Sequence, residues 1–461
     1  MKRILSRSYL ILIITIAALL GTGFLAFRIV TQNKSWVQQP YNGHIASSNG
    51  LAQAGTIYDR NQKELAYTDS DGDRKYNEDF DTRCSLLHTV GDNSLNISTA
   101  VQSMYRTELT GYSFIFGLGM PKSLKTHNDV TLTVDADACK AAYNAFGGKK
   151  GACVVYNYKT GEILCKTSSL AYDPADPPEI TDENKDEYDG VFLDNAVSST
   201  FTPGSIFKIV TAASAIENID DIYNRTFECT GECEIDGDKI TCEEVHGTVS
   251  FEEAFAHSCN VAFAQMALEL GEENLTETAE KMGFNQLFKV SDIPLAKSKY
   301  DISKANDNQL AWSGIGQYDD MANPLHMAIM CAAIANDGKP VMPYLVKNDE
   351  NVLQKLGLSK GGKQGEEMLS PQTAEKVRSL MRTAANYYYN ARGLNIGGLD
   401  FCAKTGTAEV GKDKEPNAWF VGFTEDAKHP YAFAVVVANG GYGISAATPV
   451  VQAAVDVLVS K

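Results

Sequence analysis

The chain has 461 residues, 44% hydrophobic and 21% charged, with a formal net charge of −17. That length accommodates two or three domains with full-sized cores, and the composition excludes a globally disordered chain. A body this acidic repels phosphate backbones, which excludes nucleic acid as a partner.

The stretch Tyr9–Phe27 carries no charge and is long enough to cross a hydrocarbon core of about 30 Å as one helix. Lys2, Arg3 and Arg7 precede it, which predicts a cytoplasmic N-terminus and export of everything after Val30. A cleaved signal peptide is the competing reading. Its apolar core spans only about 7–15 residues, and the nearest small-x-small site, Ala52-Gln53-Ala54, lies well past the apolar run. Residues 1–30 are therefore read as a cytoplasmic tail and an uncleaved transmembrane anchor.

Residues 31–125 alternate polar stretches with short apolar runs and carry turn clusters at Ser47-Ser48-Asn49-Gly50 and Asp69–Asp73, which predicts a small, irregular module. From Asp129 the texture changes. Val130–Val134 alternates as a strand and 137–146 reads as a helix. Gly151–Tyr158 and Glu162–Thr167 form a hairpin around Lys159-Thr160-Gly161. An acidic, Pro-rich loop over Tyr172–Asp189 leads to an apolar, helix-compatible Ser205–Ile216 that follows Pro203-Gly204. Helical periodicity returns at Phe251–Leu270 and Pro324–Asn336. Phe401–Val410, Trp419–Phe423 and Tyr431–Val437 then read as consecutive strands and Pro449–Val459 as a closing helix. Sheet, helical middle and sheet again predict one α+β domain over 126–461, its central sheet built from both ends of the segment.

Ser205-Ile206-Phe207-Lys208 places a hydroxyl and an amine three residues apart, within reach on one helical face. A neutral lysine in a partly dehydrated pocket can take the proton of a serine and make it a nucleophile, although a helix start with a solvated lysine has the same spacing. Lys404-Thr405-Gly406-Thr407 lies in a β-rich stretch, where a strand can present a lysine, hydroxyls and a glycine that admits a ligand backbone. A second such triplet, Lys159-Thr160-Gly161, is assigned to the hairpin turn. Serine-x-asparagine triplets occur at Ser47-Ser48-Asn49, Ser94-Leu95-Asn96 and Ser258-Cys259-Asn260, and only the last falls between the other two motifs. Tyr388-Tyr389-Asn390 is a related candidate, which a helix end beside the last sheet explains equally well. Serine-x-x-lysine, a serine-containing triplet and KTG in this order form the joint signature of penicillin-binding proteins and class A β-lactamases.

With these residues the chain resembles the class B penicillin-binding proteins, membrane-anchored transpeptidases that cross-link peptidoglycan. Gly55-Thr56-Ile57-Tyr58-Asp59-Arg60-Asn61 followed by Leu65-Ala66 is similar to the opening of the family's pedestal module, with Ala54 where arginine is usual. Arg74–Tyr76, His88–Gly91 and Leu109-Thr110-Gly111 continue it. Tyr172-Asp173-Pro174, Gly314-Ile315-Gly316-Gln317, Pro324-Leu325 and Ala335-Asn336-Asp337-Gly338 follow the transpeptidase pattern alongside the three motifs. The resemblance implies a pedestal over 31–125. Over 126–461 it implies a penicillin-binding-protein/β-lactamase-like transpeptidase domain, with helices on both faces of an antiparallel sheet and a helical subdomain. Carried onto this sequence, it makes Ser205 the nucleophile toward D-Ala-D-Ala, Lys208 its base and Ser258 the relay to the leaving amine. Asn260 would bind the acyl-side amide, Lys404 would raise the positive potential, and Thr405, Gly406 and Thr407 would line the carboxylate subsite. The backbone N–H groups of Ser205 and Thr407 would form the oxyanion hole. Stem peptides and β-lactams are the implied ligands, and a separate SEDS-type membrane glycan polymerase the implied partner, since about 100 residues before the transpeptidase part are too few for a glycosyltransferase. A D,D-carboxypeptidase or endopeptidase, and a β-lactam sensor or scaffold without turnover, remain open. The chemistry requires no cofactor.

Of ten cysteines, Cys84, Cys139, Cys153, Cys165, Cys331 and Cys402 sit in apolar or strand contexts and read as buried small hydrophobes. Cys229, Cys233, Cys242 and His246 cluster within eighteen residues, and Cys259 lies inside the serine-x-asparagine triplet. Soft sulfur plus imidazole suits a closed zinc site, and the spacing is similar to that of clostridial relatives in the family that carry zinc near this loop. A structural zinc held by Cys229, Cys242, His246 and Cys259, with Cys233 as the alternate fourth ligand, stands against a Cys229–Cys242 or Cys233–Cys242 disulfide.

Overall fold

The computed structural model describes residues 2–37, 51, 54–110, 129–347, 362–411 and 413–461. Helix α1 spans Lys2–Val37. It contains the expected apolar run, and its Ile11–Arg28 window, at a mean hydropathy of 2.1, is long and apolar enough to cross a membrane. Two residues of the small-x-small site, Ala52 and Gln53, lie outside the described residues.

The first module carries strands β1 (Ile57–Tyr58), β2 (Glu64–Thr68) and β3 (Arg74–Tyr76) and a short helix α2 (Phe80–Ser85) capped by Asp79. The strand expected at Val130–Val134 shortens to β4 (Val130–Thr131) and pairs in parallel with β1, closing a sheet of order β3-β2-β1-β4. The expected module boundary at 125/126 lies outside the described residues. The first module meets the C-terminal part of the chain through buried polar contacts. Thr89 Oγ1 donates to Lys166 O, and Lys166 forms an ion pair with Asp194 in which both side chains are almost fully enclosed.

Helix α3 (Ala136–Ala145) precedes β5 (Gly151–Asn157) and β6 (Ile163–Ser169). The turn between the two strands holds Lys159-Thr160-Gly161, as expected. The predicted helix from Ser205 divides: Gly204–Phe207 is a 3-10 turn, and α4 (Lys208–Asn218) begins at the lysine. Four short strands beyond those expected come next, β7 (Thr226–Cys229), β8 (Glu232–Ile235), β9 (Asp238–Thr241) and β10 (Gly247–Ser250), paired as β7 with β10 and β8 with β9. The helix expected over Phe251–Leu270 breaks into α5 (Phe251–Ala256) and α6 (Asn260–Lys281), because Ser258 adopts φ +57° between them. Helices α7 (Pro324–Ala335) and α8 (Pro371–Ala384), both with Pro in the first turn, lead to β11 (Phe401–Ala408), β12 (Asn417–Thr424), β13 (Tyr431–Val437) and the closing α9 (Thr448–Val459).

The main sheet is antiparallel throughout, in the order β11-β12-β13-β5-β6. It joins the two ends of the segment as the sequence pattern predicts. Every residue of β12 and β13 is buried, which explains their near-continuous apolar sequence where an exposed face would have alternated. Helices α3 and α9 pack together, as do α7 and β13, and α8 lies against β11. Strand β11 is an edge, and its free side meets the 3-10 turn that carries Ser205.

Candidate active site

Close backbone approach positions Ser205. Gly204 has φ +56°, and a Cβ there would stand 2.6 Å from Thr407 O, so only glycine lets the turn lie this close to β11. Gly204 N–H donates to Gly316 O at 2.8 Å, and Trp419 Nε1 donates to Thr202 O at 2.9 Å. At Gly406 a Cβ would stand 2.7 Å from Pro203 O. The turn is thus clamped between the loop containing Gln317 and the edge strand, with Ser205 half-buried at its surface.

One helical step on, Lys208 is fully buried. Its Nζ donates to Ser258 O at 2.6 Å, Ser258 Oγ at 3.0 Å and Asn260 Oδ1 at 2.7 Å. Lys404, also fully buried, reaches the same Ser258 Oγ at 3.0 Å from the opposite strand and its own chain at Thr405 O, 3.1 Å. The left-handed turn at Ser258 presents both its carbonyl and its hydroxyl to Lys208. The two amines lie over aromatic faces, Lys208 5.4 Å from the Phe263 centroid and Lys404 5.9 Å from that of Phe255. No carboxylate forms an ion pair with either amine among the described residues. Burial therefore lowers Lys208 to about 8. It lowers Lys404 well below the ordinary lysine range, with the neighbouring Lys208 charge acting in the same direction. Asn260 has both ends in use, since its Nδ2 donates to Thr241 O at 2.7 Å. It therefore orients Lys208 as well as offering its remaining amide proton, a role that sequence spacing does not suggest.

Ser205, Ser258, Asn260, Lys404, Thr405 and Thr407 line one cleft of about 340 Å³. Three sequence-distant motifs thus converge on one volume. Ser94-Leu95-Asn96 stays in the first module, where Asn96 Nδ2 donates to Asp92, and Ser47-Ser48-Asn49 lies outside the described residues. Of Tyr388-Tyr389-Asn390, Asn390 is exposed and donates to Asn386, whereas Tyr389 lines the cleft.

Beside Ser258 the ligand atoms of Cys229, Cys242, His246 and Cys259 all lie within 4.8 Å of one another. Cys229 Sγ is 3.6 Å from Cys242 Sγ and 3.4 Å from His246 Nδ1, and Cys242 Sγ is 3.8 Å from Cys259 Sγ. Tetrahedral zinc at ordinary bond lengths separates two sulfurs by about 3.8 Å and a sulfur from a nitrogen by about 3.5 Å, so the donor set and spacing fit that metal. Cys233, the alternate ligand, lies on β8 outside this group. Cys242 Sγ also accepts the backbone N–H of Asn260 at 3.1 Å and of Val261 at 3.4 Å. The hydrogen bond from Cys259 and then that from the Val261 N–H hold the Cys242 thiol below the ordinary cysteine range against the opposing effect of burial.

Residues 151–456 match the family model described as the penicillin binding protein transpeptidase domain. The peptidoglycan D,D-transpeptidase PbpA of Mycolicibacterium smegmatis is 31% identical over 342 residues, 69% of each chain. PbpA of Mycobacterium tuberculosis is 30% identical over 358 residues, covering 71% of this chain and 72% of the relative. Among solved structures, penicillin-binding protein A from M. tuberculosis as its ceftriaxone acyl-enzyme superposes with a TM-score of 0.72 at 27% identity, over 88% of this chain and 98% of that one.

Proposed function

The chain belongs to the class B penicillin-binding protein transpeptidases, and from that membership we propose that it is a membrane-anchored serine D,D-transpeptidase that cross-links peptidoglycan stem peptides and is acylated by β-lactams. The observation that carries the chemistry is Ser258 Oγ held 3.0 Å from each of two buried lysine amines, in the cleft that Ser205 borders.

In this reading Ser205 Oγ attacks the carbonyl carbon between the two D-alanines and its proton passes to neutral Lys208. Burial favours that neutral form. The oxyanion takes hydrogen bonds from the backbone N–H groups of Ser205 and Thr407, each worth about 3 kcal/mol in the transition state. The C–N bond then breaks as the proton travels from Lys208 through Ser258 Oγ to the departing D-alanine nitrogen, leaving an ester on Ser205. An amine of a second stem peptide attacks this ester, losing its proton along the same path, and restores the serine. Thr405 and Thr407 hydroxyls bind the terminal carboxylate, Gly406 admits the peptide, Asn260 holds the acyl-side amide, and Lys404 supplies positive potential.

The apolar α1 after a basic N-terminus supports a single-pass anchor with the N-terminus cytoplasmic and the catalytic part outside, and the organisation into tail, pedestal and transpeptidase domain. The family resemblance implies a SEDS-type glycan polymerase as the membrane partner that supplies strands. Cys229, Cys242, His246 and Cys259 would hold a zinc whose contribution is structural, bracing the N-terminus of α6 where Cys242 accepts the Asn260 N–H. Fluorescent penicillin should label the wild-type protein and neither Ser205→Ala nor Lys208→Ala, and labelled Ser205→Ala would refute the nucleophile. D-alanine release with and without an amine acceptor separates transpeptidation, where the amine is incorporated, from hydrolysis alone.

A further inference from the structure

Strand β11 pairs with β12 on one side only, so alternate residues turn both N–H and C=O to the free edge. At Thr405 these outward groups are already taken. Its N–H donates to the Tyr389 hydroxyl at 2.9 Å, and its C=O accepts from Lys404 Nζ at 3.1 Å. The same parity turns the N–H and C=O of Thr407 to the side of β11 against which the Ser205 turn packs. The Tyr389 hydroxyl also lies 3.1 Å from Thr405 Oγ1. Tyr389 is 1% exposed, its ring edge-on to Phe420 at 6.0 Å, and it ends a π-helical turn over Ala385–Tyr389, a rare geometry that recurs at functional sites.

We propose that Tyr389 is a positioning residue for carboxylate recognition, acting through Thr405. The inference rests on the transpeptidase reading, in which Thr405 binds the ligand's terminal carboxylate. In this arrangement the Tyr389 oxygen accepts the Thr405 N–H and donates its own proton to Thr405 Oγ1. The threonine proton is then left to point into the cleft. The resulting chain, Tyr389 O–H to Thr405 Oγ1 and Thr405 O–H to the carboxylate, polarises its last bond, since successive hydrogen bonds strengthen one another. Phenylalanine at 389 would keep the ring against Phe420, leave the Thr405 N–H without its acceptor, and free Oγ1 to turn its proton away.

The test compares acylation of the full-length protein in detergent by benzylpenicillin and by its methyl ester, followed by mass of the acyl-enzyme. Tyr389→Phe should lower the second-order constant for the carboxylate ligand about tenfold, the lower end for a hydrogen bond to a charged group, and change that for the ester less than about twofold. Thr405→Val should reduce the discrimination between the two ligands, leaving the share due to Thr407 and Lys404, and adding Tyr389→Phe to it should cost nothing further. Equal losses with both ligands, no loss with either, or full discrimination retained in Thr405→Val would each overturn the proposal, the last even if Tyr389→Phe fails to fold. Failure of either ligand to acylate the wild-type protein would instead overturn the Ser205 reading.

Discussion

Gly204→Ala tests whether Ser205, the proposed nucleophile, is placed by backbone proximity to β11. The new Cβ would lie 2.6 Å from Thr407 O and 2.9 Å from Ala408 Cβ. Relaxing the first contact to about 3.5 Å moves the Ser205 turn roughly 0.9 Å from the strand that carries the Thr407 N–H. Misplacement on that scale costs about a hundredfold in rate, whereas the left-handed alanine itself costs only about 1–2 kcal/mol of stability, a Tm shift of a few degrees. Gly148→Ala is the control. That glycine also has positive φ, at +80°, with nothing within 4 Å of the added Cβ, so it carries the strain without the displacement. Stopped-flow labelling with fluorescent penicillin, read beside thermal unfolding, should separate the two variants by about two orders of magnitude at similar Tm. A folded Gly204→Ala protein that labels within about twofold of wild type would refute the reasoning.

The same geometry sets three further outcomes. Acylation should rise about tenfold between pH 7 and 9 and then level off, because Lys208, lowered to about 8 by burial, accepts a proton only when neutral. The groups facing it are Lys404, Glu243, Cys242 and Cys259. Glu243 raises its pKa, so Glu243→Gln should move the profile to lower pH, and a flat profile would exclude Lys208 as the base. Cys259→Ala should abolish zinc retention in native mass spectrometry and lower both Tm and labelling rate, whereas unchanged zinc content would point to ligands other than this cluster. Lys166→Met leaves the Asp194 carboxylate buried without its cation and should cost about 3–5 kcal/mol in chemical denaturation. A loss below about 1 kcal/mol would show the pair to be dispensable.

The main sheet was legible because its strands are apolar and end at recognisable turns, and Ser205, Lys208 and Lys404 because their spacing is short and their neighbours are Pro, Gly and strand formers. Ser258 was found by motif order, but its left-handed turn was not, since apolar periodicity runs on across the break between α5 and α6. The strands β7 to β10 escaped for a different reason. The strands β7 and β8 do alternate, but over only four residues each, and β9 and β10 bury a single residue apiece, so the signal is too short to stand out from the polar sequence around it. This region also gathers sulfur and imidazole donors from the end of β7, the loop between β9 and β10 and the N-cap of α6, and a grouping of that kind leaves no local pattern. Helix α8 did carry a signal, Ser370 before Pro371, with the Ser370 hydroxyl accepting the Thr373 N–H at 3.1 Å. The Tyr389 contact with Thr405 is tertiary and has no sequence signature beyond the triplet itself.

An acidic chain whose two cleft lysines, Lys208 and Lys404, have no ion-paired carboxylate among the described residues sacrifices stability at one place. For Lys208, the drop from 10.5 to about 8 corresponds to about 3 kcal/mol. The folded value lies below the unfolded one, so this cost is fully present below pH 8 and fades as pH rises through the unfolded value. Glu243 offsets part of this cost from a distance; a carboxylate in direct contact with Lys208 would remove it, but would also hold the amine protonated and, on the proposed reading, unable to take a proton from Ser205. On the proposed reading the counter-charge arrives with the ligand, whose terminal carboxylate enters beside Lys404 and the Thr405 hydroxyl, while Lys208 faces Ser258 and Asn260. Burial and the neighbouring Lys208 charge depress Lys404 as well, so on this reading it is the entering carboxylate that returns the positive charge to Lys404, while Lys208 stays neutral beside the shared Ser258 Oγ.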